Sequence, residues 1–242
     1  MSIVGIIAEY NPFHSGHAYQ IRKAKELTGA DYAVVIMSPD FVQRGEPAIL
    51  DKYSRTSAAL EHGADLVLEL PVCYAAGSAE YFAQGSMTML DKLGCIDFLC
   101  FGCETPDVSL FLELADFLER EPPAYRSLLR EYQKQGMTFP AAREKALVQA
   151  YTQEQCTQNP ADAQGQEHLS LQFRTILHEP NNSLGLEYCR ALIRLKSRIR
   201  PVPMERTGQG YHSGLIEGKH ISASAVRKAL RQTTPSETLT DY

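Results

Sequence analysis

Four short, nearly unbroken apolar runs constrain this chain most: Ile3–Ala8 (IVGIIA), Tyr32–Met37 (YAVVIM), Asp65–Leu70 (DLVLEL) and Phe98–Phe101 (FLCF). Between them lie segments with helical spacing, at Gly16–Leu27, Asp51–His62 and Ala79–Leu93. A strand that alternates apolar and polar residues has one wet face. A strand that is apolar throughout is covered on both, which is the condition of a parallel sheet with helices above and below. Strands alternating with helices in right-handed crossovers then give an α/β, doubly wound parallel sheet of Rossmann-like type. Such sheets bind their ligands at the carboxyl ends of the strands.

The texture changes at Val108. Three helical segments follow, Val108–Arg120, Tyr125–Gln135 and Pro140–Gln155, and then a polar, turn-rich stretch, Gln158–Gln166. Helical character returns at Leu184–Lys196, strand character at Pro201–Arg206, and a short helix capped by Ser222 or Ser224 is expected within Ile221–Leu230. The expected organisation is therefore a first α/β half over 1–107, a helical insertion over 108–163, and a second half over 164–242. The polar stretch that closes the chain marks no structural end, and a further C-terminal region is expected beyond it.

The formal charge of −5 argues against a generic nucleic-acid binder, so any RNA contact must be local. One run is suited to a phosphate backbone: Arg190, Arg194, Lys196, Arg198 and Arg200. A solvated helix face running into a loop explains the same residues. The N-terminus lacks a secretory signal, no apolar run is long enough to span a membrane, and the six cysteines read as reduced thiols, so a cytoplasmic protein is expected. Cys100 and Cys103 form a C-x-x-C, but they lie in an apolar strand and no second pair completes a zinc site; no protein-bound metal is expected.

The stretch EYNPFHSGH (Glu9–His17) stands where the first strand gives way to the first helix. Amide groups at a helix N-terminus are unpaired and sit in positive potential, so this turn is a natural phosphate site. Gly16 removes a Cβ, and two imidazoles on the turn can donate to oxygens on which charge builds during attack at an α-phosphate.

HSGH resembles the H-x-G-H of the nucleotidylyltransferase superfamily, and ISASAVR (Ile221–Arg227) resembles the I-S-x-S-x-x-R that those enzymes place beside the ATP β- and γ-phosphates. Taken with GIIAEYNPFHSGH, Met37–Arg55, FGCE (Phe101–Glu104), PNNSLGLEY (Pro180–Tyr188) and GYHS, the chain is similar to the tRNA(Met) cytidine acetate ligase family from residue 3 to about 231. Members of that family are longer than this chain.

The resemblance implies a Rossmann-like nucleotidylyltransferase fold and an ATP-dependent ligase. Such an enzyme activates acetate as acetyl-adenylate, releases diphosphate and acetylates N4 of the wobble cytidine of elongator tRNA(Met). It implies that Ile7, Ala8, Glu9, Tyr10, Asn11, Pro12, Phe13, His14, Ser15, Gly16, His17, Ala18, Tyr19 and Gln20 cradle ATP. His14, His17 and Arg227 would then act in catalysis. Gly102, Asn182 or its neighbour Asn181, and Arg206 would contact the nucleotide, with Ser222, Ser224 and Arg227 at its diphosphate end. Asp40, Gln43 and Arg44, on a polar loop after the second strand, are candidates for acetate or the tRNA base. Magnesium is the expected companion of the ATP phosphates. Two other functions fit the same motifs: a small-molecule adenylyltransferase of the cofactor-precursor type, and a non-catalytic nucleotide- or RNA-binding module.

Overall fold

The structure is a computed structural model. It describes residues 1–158 and 172–206 together with Ala223, Val226 and Arg227, leaving aside the side chains of Arg44 and of residues 156–158. The expected capped helix at Ile221–Leu230, with Ser222 and Ser224, and most of the expected loop at Gln158–Gln166 lie outside the described residues.

Five strands form one sheet in the order β3-β2-β1-β4-β5. They are β1 (Ile3–Ala8), β2 (Tyr32–Met37), β3 (Leu66–Glu69), β4 (Phe98–Cys103) and β5 (Arg200–Glu205). β1 pairs in parallel with β2 and β4, and β2 with β3. The central position of β1 explains its composition: Val4 and Ile6 are wholly buried, and one core cluster gathers them with Ile21 and Ala24 of the first helix and Val35 and Met37 of β2. Fully burying a side chain such as Ile6 is worth about 1.5–3 kcal/mol. The expected α/β class with a parallel sheet and flanking helices is the architecture found.

The helices on this sheet are α1 (Ser15–Thr28), α2 (Lys52–Glu61), α3 (Val72–Ala75) and α4 (Ala79–Leu93). Their ends follow local chemistry. Asp51 accepts from the amides of Tyr53 and Ser54, both at 2.9 Å, and so fixes the start of α2. α1 and α4 end on Gly29 and Gly94, both with left-handed backbone. β3 is shorter than the expected Asp65–Leu70, although the amides of Asp65 and Leu70 still donate to the Ala33 and Met37 carbonyls at 2.9 and 2.8 Å. The Asp65 carboxylate takes the Ala33 amide and Lys25 Nζ, each at 2.7 Å.

The chain packs into two compact units, Met1–Gly102 with Arg198–Tyr242, and Cys103–Ser197. The second is helical: α5 (Val108–Arg120), α6 (Pro123–Lys134), α7 (Phe139–Gln158), helical turns at 172–178 (α8) and α9 (Pro180–Leu195). Its core stacks Phe117, Tyr151 and Phe173 edge to face, with centroids 5.4 and 4.5 Å apart. Beside it runs a chain of charges in which Arg143 and Arg190 share Glu187, and Arg190 and Arg194 share Glu119. The sequence reading drew the helical segment at 108–163; the compact unit also takes in α9, which packs along α5. Among the described residues no helix is long and apolar enough to cross a membrane.

Candidate active site

β1 ends at Ala8, and the chain turns through Glu9–Phe13 into α1. Tyr10 sits in that turn with φ of 50°, a left-handed backbone that costs a non-glycine residue about 1–2 kcal/mol. Its ring is buried and, among the described residues, its hydroxyl has no partner. Burial pushes the phenol far above its ordinary range, so it stays protonated. Strain plus an unpaired buried polar group at the carboxyl end of the central strand is characteristic of a functional turn.

The two histidines cap the helix that follows. His14 is the N-cap residue, with its Nδ1 accepting the Gly16 amide at 3.1 Å. His17 reaches back, and its Nδ1 accepts the His14 amide at 3.2 Å. This is a capping box with imidazoles in the places usually held by Ser or Thr and by Glu or Gln. The rings stack with centroids 3.8 Å apart and 26° between planes. Gly16 is required by that packing: a Cβ on it would lie 2.9 Å from His14 Cε1 and 3.0 Å from Nδ1.

The cap also fixes the chemistry of the rings. Each Nδ1 accepts a backbone N–H, so the neutral ring carries its proton on Nε2. Burial, then the neighbouring His14, then Arg206, hold the His17 imidazole well below its ordinary range. His17 is therefore a neutral N–H donor at physiological pH. The His14 and Gly16 amides, expected to be open to a phosphate, are taken up by the rings, and Nε2–H groups stand in as the donors. Tyr10 and Phe13 wall His17, with centroids at 4.9 and 5.6 Å.

Two arginines from late in the sequence come to this turn. Arg206, just after β5, lies close enough to His17 to depress its titration, and its stem covers Gly102. A Cβ on Gly102 would meet Arg206 Cγ at 3.1 Å. The absent side chain thus makes room for the stem of Arg206. Arg227 donates from Nη1 to the Asn11 carbonyl at 2.7 Å. So His14, His17, Gly102, Arg206 and Arg227, dispersed over more than 200 residues, gather at one turn.

Other expected contacts have different employment. Asp40 accepts the Lys52 amide through Oδ1 at 2.9 Å and fastens the approach to α2, with its side chain still half exposed. Gln43 donates its amide to Glu9 Oε1 at 3.0 Å, which puts its loop against the turn. Asn182, in the helical unit, is completely buried. Its Oδ1 accepts the Glu104 and Thr105 amides, its Nδ2 donates to Thr105 Oγ1, and Glu104 in turn accepts from the Asn182 amide and Asn181 Nδ2. The described contacts of Asn182 are structural.

Arg190 is likewise withdrawn from the surface, its side chain only 11% exposed between Glu119 and Glu187. That corrects its reading as a backbone-phosphate contact. Arg194 is exposed but paired with Glu119, Lys196 and Arg198 are exposed, and Arg200 lies over the Phe98 ring at 4.3 Å.

Arg55 escaped the sequence reading. It is the bulkiest of the fully buried side chains, and its guanidinium donates to carbonyls at the ends of β1 and β2.

A family model described as HIGH Nucleotidyl Transferase matches residues 1–242. The chain belongs to the HIGH nucleotidyl transferase family. Within that family it is 43% identical over 230 residues to a tRNA(Met) cytidine acetate ligase of Halothermothrix orenii, covering 95% of this chain and 52% of that protein. A tRNA(Met) cytidine acetate ligase of Clostridium novyi is 42% identical over 241 residues, covering 100% of this chain and 56% of the other. Among solved structures, Thermotoga maritima TmcAL in its apo form superposes with a TM-score of 0.85 at 36% identity, over 96% of this chain and 52% of that one. The same protein bound with alpha-thio ATP gives 0.81 at 36% identity, over 96% and 50%. This HIGH nucleotidyl transferase chain spans about half the length of the curated relatives it matches.

Proposed function

We propose that this chain binds ATP on the Glu9–His17 turn and activates acetate as part of a tRNA(Met) cytidine acetate ligase. The observation that carries the reading is the arrival of Arg206 and Arg227 at a turn whose histidines are held as neutral Nε2–H donors. The identity to named ligases and the likeness to a neighbour bound with alpha-thio ATP support it.

In the first step an acetate oxygen attacks the α-phosphorus. The bond from that phosphorus to the bridging oxygen breaks, and diphosphate leaves. Negative charge builds on the α-phosphate oxygens, where the Nε2–H groups of His14 and His17 donate to it. Arg227 and Arg206 offset the charge of the departing diphosphate and of the nucleotide. Asn181 is kept as a nucleotide contact, and Gln43 and Arg44 as acetate or tRNA contacts. In the second step N4 of the wobble cytidine attacks the acetyl carbonyl, loses a proton, and AMP leaves. Lys196, Arg198 and Arg200 would meet the tRNA backbone.

Among the described residues no three imidazoles, thiols or carboxylates converge as an ion cage. Magnesium commonly accompanies ATP phosphates, and it is kept as the expected companion of the nucleotide.

Exchange of labelled diphosphate into ATP tests the reading. Exchange that depends on acetate is expected. Exchange indifferent to acetate would point to a small-molecule adenylyltransferase, and nucleotide binding without exchange to a non-catalytic module.

A further inference from the structure

Arg55 lies in the first turns of α2 with its side chain entirely buried. A buried guanidinium ordinarily sits against a carboxylate, because desolvating an unpaired charge is costly. Here the carboxylate that pairs with it, Asp40, stands off at 3.9 Å. Main-chain carbonyls take its place. Nη1 donates to Glu9 O at 2.7 Å and to Ser38 O at 3.0 Å, Nη2 to Pro39 O at 2.6 Å, and Nε to Leu50 O at 3.0 Å.

These acceptors come from three segments: the exit of β1, the exit of β2 and the strap leading into α2. Where a parallel sheet stops, the last carbonyls of neighbouring strands lose their ladder partners and must be satisfied otherwise. A planar fork with five N–H donors meets several carbonyls at once, which a lysine ammonium on a flexible stem does not.

Two more bonds join the same segments. The Gln43 amide donates to Glu9 Oε1 at 3.0 Å and the Ile49 amide to Asn11 Oδ1 at 2.8 Å. Glu9 and Asn11 lead directly into His14, and the Asn11 carbonyl receives Arg227. We infer that Arg55 is a positioning residue that couples the Glu9–His17 turn to the Asp40–Ala48 loop, so that one buried guanidinium sets the turn that carries the imidazole donors and this loop together. Its catalytic consequence rests on the ligase reading; the coupling itself does not.

The test compares wild type with Arg55→Lys, Arg55→Ala and Gln43→Pro by peptide-resolved hydrogen exchange and by acetate-dependent diphosphate exchange, well below each variant's melting temperature. Gln43→Pro removes the amide that meets Glu9, at the first position of a 3₁₀ turn, together with the Gln43 side chain, and its protection pattern is the readout to rely on if the Arg55 replacements fail to fold. In Arg55→Lys, amides of 9–17 and of 40–50 are expected to lose protection together by about tenfold, while those of α4 and β4 keep theirs. The kcat is expected to fall roughly 10²-fold with KM for ATP moving less than about threefold. Guanidinium at low millimolar concentration should recover part of the rate in Arg55→Ala. Gln43→Pro should show a smaller loss of protection in the same two segments.

Loss of protection in one segment alone would overturn the coupling. So would a uniform loss across the unit with kcat of the folded protein unchanged, which is what a merely structural arginine gives. If wild type shows no acetate-dependent exchange, the ligase reading fails, and the protection pattern still decides the coupling.

Discussion

His17 Nδ1 accepts the backbone N–H of His14 at 3.2 Å, while His14 Nδ1 accepts that of Gly16. Each ring thereby caps the helix and is locked into one tautomer. Structural and catalytic duties fall on the same atoms, and they separate only if a replacement keeps one and drops the other.

His17→Gln makes that separation. Glutamine is a usual capping-box residue at this position and can accept the His14 amide through its carbonyl. Urea unfolding should therefore show a stability within about 1 kcal/mol of wild type, with the acetate-dependent exchange rate lowered ~10²–10³-fold, the usual weight of one transition-state donor. ATP affinity should change far less than the rate. Equal losses would mean the ring only holds ground-state nucleotide.

The pH dependence follows from the same ring. Its folded-state titration lies below the ordinary 6.5 because burial, and then the neighbouring His14 and Arg206, oppose protonation. Below that ordinary value the unfolded chain takes up a proton that the folded one refuses. Stability is thus full above about pH 6.5 and falls as pH drops through the window down to the lowered value, by at most ~1.4 kcal/mol per pH unit for this one group. Urea midpoints at pH 7.5, 6.5 and 5.5 should show the fall in wild type, and a smaller one in His17→Gln.

Gly16→Ala sets two effects against each other. Alanine gains up to about 1 kcal/mol of helix propensity over glycine. Its Cβ would nonetheless press on the His14 ring, which is held in place by its own hydrogen bond. We expect a melting temperature unchanged or raised and an exchange rate reduced about tenfold or more. A faster enzyme would show that the ring has room to move.

The charge chain of the helical unit predicts a division among the basic residues. Arg190→Met leaves Glu119 and Glu187 short of a partner in a mostly buried place and should destabilise by roughly 3 kcal/mol in chemical unfolding. Charge reversal at exposed Lys196 and Arg198 should leave stability nearly unchanged. It should instead reduce the salt dependence of tRNA binding, by about one unit of log–log slope per lost phosphate contact. An unchanged slope would remove these two from the tRNA surface.

The sheet was legible because burial on both faces leaves an unbroken apolar run, and β1 and β2 match their expected limits residue for residue. The H-x-G-H turn was legible through its place after β1. The roles of its atoms were not, since helix-cap patterns anticipate Ser, Thr, Glu or Gln and not imidazole. Arg55 was missed because its partners are carbonyls from three segments, which leave no residue signature. Arg190 looked like part of a surface stripe because its partner Glu119 is 71 residues away. Whether a basic residue faces water is decided by tertiary packing, which local charge spacing does not record.

Nitrogen-15 NMR of histidine-labelled protein, titrated with a non-hydrolysable ATP analogue, tests the central claim most directly. The account predicts that His14 and His17 are neutral at pH 7 and protonated at Nε2, and that both Nε2 signals shift when the analogue binds. Rings protonated at Nδ1, or Nε2 signals that ignore saturating nucleotide, would contradict it.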